Sequence, residues 1–266
     1  MISRRASLTL LIVLTMAIIA VGFMLPRIPQ PLSYHLFADR RAFLGIPNFG
    51  DVASNVPFAV IGVWGLVFLR RLHSAQTASE HFVDRREQWP YLFVFIGLVL
   101  TAFGSSYYHL HPDNARLVWD RLPMTITFMA MVAAVIAERI SLRLGLWLLP
   151  ILLFTGIASV LQWYWSEVRG AGDLRFYAAL QAYSVLVILL AFLFPQRYTS
   201  ASDFGLVIGF YVLAKILELL DRPIFHALHY VSGHTLKHLA AAAAGYFILR
   251  MLQRRKPVAE IHQIPD

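Results

Sequence analysis

The chain has 266 residues, of which 58% are hydrophobic and 14% are charged, and its formal net charge is +8. A soluble domain carries about a quarter charged residues, so this composition excludes an ordinary soluble domain and indicates a polytopic membrane protein. The basic residues lie in short segments between apolar runs, as the positive-inside rule places them, which argues against nucleic-acid binding. The sequence has no cysteine, and this excludes disulfides, thiolate ligands and a cysteine nucleophile.

Eight apolar runs are each long enough to cross the hydrocarbon core as a helix. They cover residues 8–25, 51–69, 91–110, 118–138, 144–163, 176–194, 204–220 and 234–250. The first run follows Arg4 and Arg5 like a signal peptide, but Met24-Leu25-Pro26-Arg27 is not a small-residue cleavage site. It is therefore predicted to be a retained anchor. The sequence predicts an all-α integral membrane protein with eight spans.

The distribution of Lys and Arg predicts the orientation of these spans. With the N-terminus inside, thirteen basic residues lie in inner segments and seven in outer segments. The positive-inside rule then places both termini in the cytoplasm, which an even number of spans also requires. The same orientation places His109, Asp120 and His234 at one depth, near the outer ends of their spans.

Three histidines in this outer layer form a candidate metal site. His234 and His238 are four residues apart, so they lie on one face of a helix and can bind the same ion. His109, at the end of the third span, adds a third nitrogen ligand. Three histidines without cysteine are typical of a catalytic zinc site, which keeps one coordination position for water. Isolated HxxxH patterns arise often by chance, and the shared depth of the third histidine distinguishes this one.

Two further polar residues are predicted beside the histidines. Ser105 lies one helical turn from His109, where its hydroxyl either stabilises an oxyanion or simply eases helix packing as a small residue. Asp120 follows a tight polar hairpin that returns the chain beside His109. Beside a zinc-activated water it would act as general base and then as acid to the leaving amine. The alternative is an ion pair of Asp120 with Arg121 or Lys237.

Other polar residues have simpler interpretations. Lys215 and Glu218 are three residues apart, which predicts an intramembrane ion pair. Asp39, Asn48 and Asp51 offer hard oxygen ligands for calcium near the second span. Capping of the second span by Asp51 is the structural alternative to that calcium site.

Three patterns together resemble the alkaline ceramidase family, within the wider group that includes the progestin/adipoQ receptors. They are Gly104-Ser105-x-x-x-His109, Asp120-x-Leu122-Pro123-Met124 and Gly233-His234-x-x-x-His238, in this order on separate spans. Ser54-Asn55 on the second span resembles a further family feature. Arg121 departs from the pattern, because an acidic residue usually follows the motif aspartate. The acidic N-terminal calcium-binding segment of the eukaryotic enzymes also has no clear counterpart here.

The resemblance implies a seven-helix hydrolase bundle over residues 48–250 that cleaves the N-acyl bond of ceramide-like sphingolipids. It assigns the zinc ligands and the catalytic centre, namely His109, His234 and His238 with Ser105 and Asp120. Residues 1–47 would add an anchor helix and an outer loop, and residues 251–266 a cytoplasmic tail. The lipid would reach an outward-side active site from the bilayer.

Three other functions compete with a lipid amidase. A receptor-like or regulatory membrane protein would use the same metal site structurally, and a lipid esterase would use the same centre on an ester. A proton or metal transporter would need ionisable residues at several depths, whereas here they cluster toward one side.

Overall fold

A computed structural model describes residues 2–75, 77–199 and 203–258. Within these ranges the chain consists of helices joined by loops and two short 3-10 turns, with no β-strand. This confirms the predicted all-α class. The helices are α1 (Arg4–Met24), α2 (Phe49–Ala53), α3 (Val56–Ser74), α4 (Ala78–His81), α5 (Gln88–Leu110), α6 (Asn114–Arg139), α7 (Leu142–Val168), α8 (Arg175–Leu190), α9 (Asp203–Leu219), α10 (Asp221–Leu228) and α11 (Gly233–Arg254).

Among the described residues, five helical segments are long and apolar enough to cross a membrane, namely Arg4–Met24, Phe49–Ser74, Arg85–Leu110, Asn114–Arg139 and Leu142–Val168. Seven of the eight predicted spans each overlap one helix, whereas the second, residues 51–69, runs from α2 into α3, and the count of eight is not confirmed. Helices α8 and α9 have only 16 and 17 residues. Helix α11 has 22 residues, and three of those in its first two turns are His or Lys, which lowers its hydropathy.

Helix α6 is the most enclosed element of the bundle. Residues 129–140 at its C-terminal end are all buried, because α5, α7 and α8 pack around it. Helix α11 packs against α9 and α3, while α1 lies at the periphery against α8. Most apolar side chains of α1 are exposed, as expected for a helix that faces lipid.

A close approach of α5 and α6 positions the candidate site. A Cβ added at Gly104 would clash with the backbone oxygen of Trp119, so only glycine allows the two helices to come this near. The predicted hairpin is present between them, and Asp113 caps α6 by accepting the amide hydrogen of Arg116 at 2.7 Å. Asp120 is the next residue after the contact at Trp119, so its backbone lies close to α5.

The linker between α1 and α2, residues 25–48, folds over the ends of the bundle helices instead of forming an open loop. His35 joins it to the α5–α6 hairpin, with Nδ1 2.8 Å from Tyr108 Oη and Nε2 2.9 Å from Asn114 Oδ1. The amide of Ala38 donates to Asp221 Oδ2 at 2.9 Å. These contacts fix the linker against the same end of the bundle that carries the three histidines.

The C-terminal boundary differs from the sequence prediction, because α11 continues beyond residue 250. Arg255 is 1% exposed, forms an ion pair with Glu138 and stacks 4.1 Å from the ring centroid of Tyr198. It therefore belongs to the bundle and not to a tail. The remainder of the predicted tail, residues 259–266, lies outside the described residues.

Candidate metal centre

Three histidines from two helices meet at one end of the bundle. His109 lies at the end of α5, and His234 and His238 lie in the first two turns of α11. Their ring centroids are 4.9 Å apart in every pair. One ring nitrogen from each lies within 4.8 Å of the others, and all three residues are buried. The arrangement is that of three ligands around one metal ion.

Most of the histidine nitrogen atoms at this centre form no hydrogen bond within the protein. Within the described ranges, neither ring nitrogen of His109 nor Nε2 of His234 has a hydrogen-bond partner. An unsatisfied buried polar atom costs about 1–3 kcal/mol, so several of them at one point indicate a shared ligand. The residues therefore fit a bound metal ion. Imidazole nitrogen suits zinc among other transition metals.

A hydrogen bond from the α2–α3 junction orients His238. Its Nδ1 lies 2.8 Å from Ser54 Oγ, and the Ser54 hydroxyl donates to the backbone oxygen of Asp51 at 3.1 Å. A hydroxyl has only one hydrogen, so the Nδ1–H of His238 must donate to Ser54. This tautomer leaves Nε2 free to bind a metal, the usual arrangement at metal-binding histidines.

We expect Ser54→Ala to weaken metal binding about 10- to 100-fold, because His238 loses the partner that fixes its ring and tautomer. Competition with a fluorescent chelator measures the affinity. Ser54→Thr keeps the hydroxyl and should retain most of the affinity. The matched control is Ser106→Ala, which removes a hydroxyl that donates to the backbone oxygen of Val52 at 3.4 Å. Equal affinity of Ser54→Ala and wild type would show that Ser54 has no positioning role.

Phe37 covers the histidines on the side of the linker. Its ring centroid lies 4.7 Å from that of His109 and 4.5 Å from that of His234. Asp221 holds this arrangement together, because Oδ1 accepts from the amide of His234 and Oδ2 from the amide of Ala38, both at 2.9 Å. The linker thus excludes bulk water from one side of the centre.

Asp51 does not cap its own helix, so that prediction is wrong. The residue at the N-cap of α2 is Asn48, whose side chain makes no capping hydrogen bond. Asp51 is fully buried and accepts instead from Thr235 Oγ1 at 2.8 Å and Ser232 Oγ at 3.4 Å. Because α2 packs against α11, the carboxylate finds its donors there and ties α2 to the helix that carries two of the histidines.

The residues considered for calcium make other contacts, although Asp51 Oδ2 is buried without a hydrogen-bond partner among the described residues. Arg41 donates to both Asp39 oxygens, at 2.8 and 2.7 Å, and this hydrogen bonding holds the pKa of the Asp39 carboxyl below its usual value. The Asn48 amide donates to the backbone oxygen of His109 at 2.7 Å. Across the described part of the chain, the histidine triad is the only group of three His or acidic residues arranged to hold a metal ion. The geometry gives no support to a calcium site here.

Ser105 and Asp120 line a cavity together with His238. Ser105 is 2% exposed and Asp120 is 7% exposed, so both polar side chains are removed from bulk solvent. The Ser105 hydroxyl is close enough to the Asp120 carboxylate to stabilise its negative charge. The structure therefore brings both predicted catalytic residues to the same cavity as one of the three histidines.

The two cations considered as partners of Asp120 are bound to other groups. Arg121 Nη2 donates to Gln30 Oε1 at 2.6 Å, and Lys237 Nζ donates to Glu218 Oε1 at 2.9 Å. Among the described residues, no Lys or Arg nitrogen lies within 4.0 Å of the Asp120 carboxylate. Asp120 is thus a buried carboxylate without a direct ion-pair partner, as a proton acceptor in a catalytic centre requires.

The cavity has a volume of about 140 Å³ and a largely apolar wall formed by residues of α3, α5, α6, α8, α9 and α11. From His238 to Ile248 its lining follows α11 for roughly 15 Å, about half the ~30 Å thickness of the hydrocarbon core. Phe128 of α6 and Tyr211 of α9 form part of the wall, with ring centroids 5.8 Å apart. The space suits an alkyl chain whose polar end reaches Asp120.

Phe37 is a site residue that the local sequence pattern does not identify, because it lies in a linker with no helical or strand periodicity. Asp221 lies after the seventh predicted span, a position from which it is expected to brace the last span, and its carboxylate does accept from the amide of His234 at the start of α11. Its link to the linker depends on tertiary structure alone.

Comparisons with known proteins do not assign a family. The chain matches no protein-family model and no curated protein. The residues and geometry of the site therefore carry the functional assignment.

Proposed function

We propose that this protein is a membrane-embedded zinc hydrolase that cleaves the N-acyl amide bond of ceramide-like or other N-acyl lipids. The observation that carries this proposal is the buried Asp120 carboxylate, which shares an apolar cavity with His238 of the histidine triad. A metal site, a general base and a space for an alkyl chain are the parts that lipid amide hydrolysis needs. The motif resemblance to alkaline ceramidases supports an amide as the scissile bond.

His109, His234 and His238 would hold the zinc ion, which would supply a Lewis acid and lower the pKa of a water molecule toward neutrality. Asp120 accepts the proton of the attacking water and later gives it to the amide nitrogen. The water oxygen bonds to the carbonyl carbon and the C–N bond breaks, so the products are a carboxylic acid and an amine. Once Asp120 has taken up the proton, the single hydroxyl hydrogen of Ser105, which lines the same cavity, is available to donate to the carbonyl oxygen as negative charge develops there.

The proposed membrane arrangement has eight spans, with the shorter helices α8 and α9 and the more polar α11 completing the five long apolar segments. Both termini are cytoplasmic and the histidine centre lies toward the outer side. The lipid would reach the cavity from the bilayer, because the cavity wall is largely apolar.

This arrangement predicts that the loop before α5 and the hairpin after it lie on opposite sides of the membrane. Topology reporters inserted after Arg86 and after Asp113 should therefore give opposite results, with the first cytoplasmic. The reason is the excess of basic residues in the inner segments. Two reporters on the same side would contradict the number of spans or their orientation.

Hydrolysis in ¹⁸O-labelled water tests the proposed reaction. The purified protein is incubated with an N-acyl amide and with the ester of the same acyl chain, and the products are identified by mass spectrometry. We expect one ¹⁸O atom in the acid released from the amide. Hydrolysis of the ester alone would favour a lipid esterase. No hydrolysis of either lipid would contradict the proposal and favour a receptor-like protein with a structural metal site.

A further inference from the structure

A second polar cluster, formed by Lys215, Glu218 and Lys237, lines the same cavity as Asp120. Glu218 Oε2 accepts from Lys215 Nζ at 2.9 Å, and Oε1 accepts from Lys237 Nζ at 2.9 Å. The ion pair of Lys215 and Glu218 expected from the sequence is therefore present, but a second lysine shares it. One carboxylate therefore accepts hydrogen bonds from two ammonium groups.

The cluster consequently carries one positive charge in excess. Tyr34 Oη also donates to Glu218 Oε1, at 3.4 Å, so this carboxylate is already fully engaged. Asp120 forms no ion pair within 4.0 Å among the described residues, so it offsets this charge only at longer range, and in the proposed reaction it takes up a proton and loses its negative charge. An unbalanced charge at the edge of a low-dielectric cavity is costly, and an anionic ligand offsets that cost.

The position of the cluster indicates which part of a substrate it meets. An alkyl chain in the apolar part of the cavity, with its amide at Asp120, leaves the amine portion at the polar end. Lys215 and Lys237 lie at that end. The Lys215 side chain is 45% exposed and the Lys237 side chain 14% exposed, so the cluster extends from the cavity toward the surface of the bundle.

We propose that Lys215 and Lys237 form a carboxylate-binding subsite, and that the preferred substrates are N-acyl amino acids. The carboxylate of such a lipid would lie on the amine side of the scissile bond and complete the charge balance of the cluster. Ammonium–carboxylate hydrogen bonds are stronger than neutral ones, so the subsite discriminates against neutral N-acyl amines. This inference rests on the proposed amidase function.

The test compares N-oleoylglycine with N-oleoylethanolamine, which share an acyl chain and differ in headgroup charge. The measured quantity is the ratio of their kcat/KM values. In wild type the ratio should favour N-oleoylglycine, and Lys215→Gln should lower it on the order of tenfold to a hundredfold. Lys215→Arg keeps the charge and should retain the preference. Glu218 keeps Lys237 as its partner in Lys215→Gln, so the fold should be maintained.

Arg222→Gln is the matched control, because it removes the same charge from the exposed surface of α10, outside the cavity. Its ratio should equal that of wild type. An unchanged ratio in Lys215→Gln, or an equal fall for both lipids, would overturn the inference while amide hydrolysis itself remained established. An unchanged ratio in Lys237→Gln, or an equal fall for both lipids, would likewise show that the buried lysine does not bind the headgroup carboxylate.

Two further measurements separate the remaining outcomes. Oleate, the product acid, carries the same chemical group, so its inhibition constant is measured in wild type and Lys215→Gln. Weaker inhibition with an unchanged substrate ratio would assign the lysines to the product acid and overturn the headgroup assignment. If wild type hydrolyses neither lipid, the amidase proposal fails. N-oleoylglycine binding, followed by tryptophan fluorescence, then supports the subsite if Lys215→Gln weakens it and overturns it if not.

Discussion

Asp120→Asn is expected to lower the turnover of an N-acyl amide by about 10²- to 10⁴-fold, the usual cost of losing a general base. Asparagine has nearly the same size as aspartate and keeps some hydrogen bonding, but it cannot accept the proton. Metal content should stay at the wild-type level, because the three residues that could hold an ion are all retained. Steady-state kinetics and metal analysis on the same preparation measure both quantities.

The melting temperature distinguishes this role from a structural one. Asp120 has no ion-pair partner within 4.0 Å among the described residues, so its substitution leaves no cation newly unpaired. Asp113→Asn is a control at the N-cap of the same helix, outside the cavity. Asn also caps a helix, but the variant leaves Arg116 without its ion-pair partner, so any effect should be on the melting temperature and not on turnover. Normal turnover of Asp120→Asn together with a lower melting temperature would refute the catalytic role.

Replacement of any one of His109, His234 and His238 by Ala should abolish stoichiometric metal binding. A catalytic zinc site holds its ion with three protein ligands, so the loss of one histidine removes a third of the protein ligands. The metal affinity should fall further than it does when a residue that only orients a ligand is lost, which costs about 10- to 100-fold. Metal per chain, measured by mass spectrometry after dialysis, gives the result.

His226→Ala is the matched control for these variants, because His226 is exposed on α10 and lies outside the triad. It should retain one metal ion per chain. Full retention in all three triad variants would mean that the triad is not the metal site, and turnover would then have to be explained without it.

The site residues that share one face of a helix could be predicted, because the geometry of an α-helix fixes which positions lie on the same face. The spacing of His234 and His238 defines one face of α11 wherever that helix lies, and the spacing of Ser105 and His109 does the same on α5. That α5 and α11 bring their histidines together could also be predicted, because the corresponding ends of their apolar runs lie at one depth. The lengths of the spans and the charges of the loops are enough to predict that depth.

The contacts around the triad could not be predicted, because they depend on which helices are neighbours. Asp51 is close to the start of its helix, so sequence alone favours a cap, yet α11 offers it two hydroxyl donors. Phe37 covers the histidines from a linker that has no periodic pattern. Neither position carries a local signal for its tertiary partner.

The burial of one basic residue also could not be predicted from the charge count. Arg255 belongs to the inner set of basic residues, and it is buried beside Glu138 and stacked on aromatic rings. A count of basic residues treats each of them as exposed. It therefore cannot anticipate a buried ion pair whose carboxylate lies more than a hundred residues away in the sequence.

Metal reconstitution tests the central claim most directly. Protein stripped with a chelator should lose hydrolysis of an N-acyl lipid amide, and activity should return in proportion to added Zn²⁺ up to one equivalent per chain. The zinc, the histidine triad and the amide reaction are thereby measured in one titration. Full activity of the metal-free protein, or binding of one zinc equivalent without any amide hydrolysis, would contradict the account.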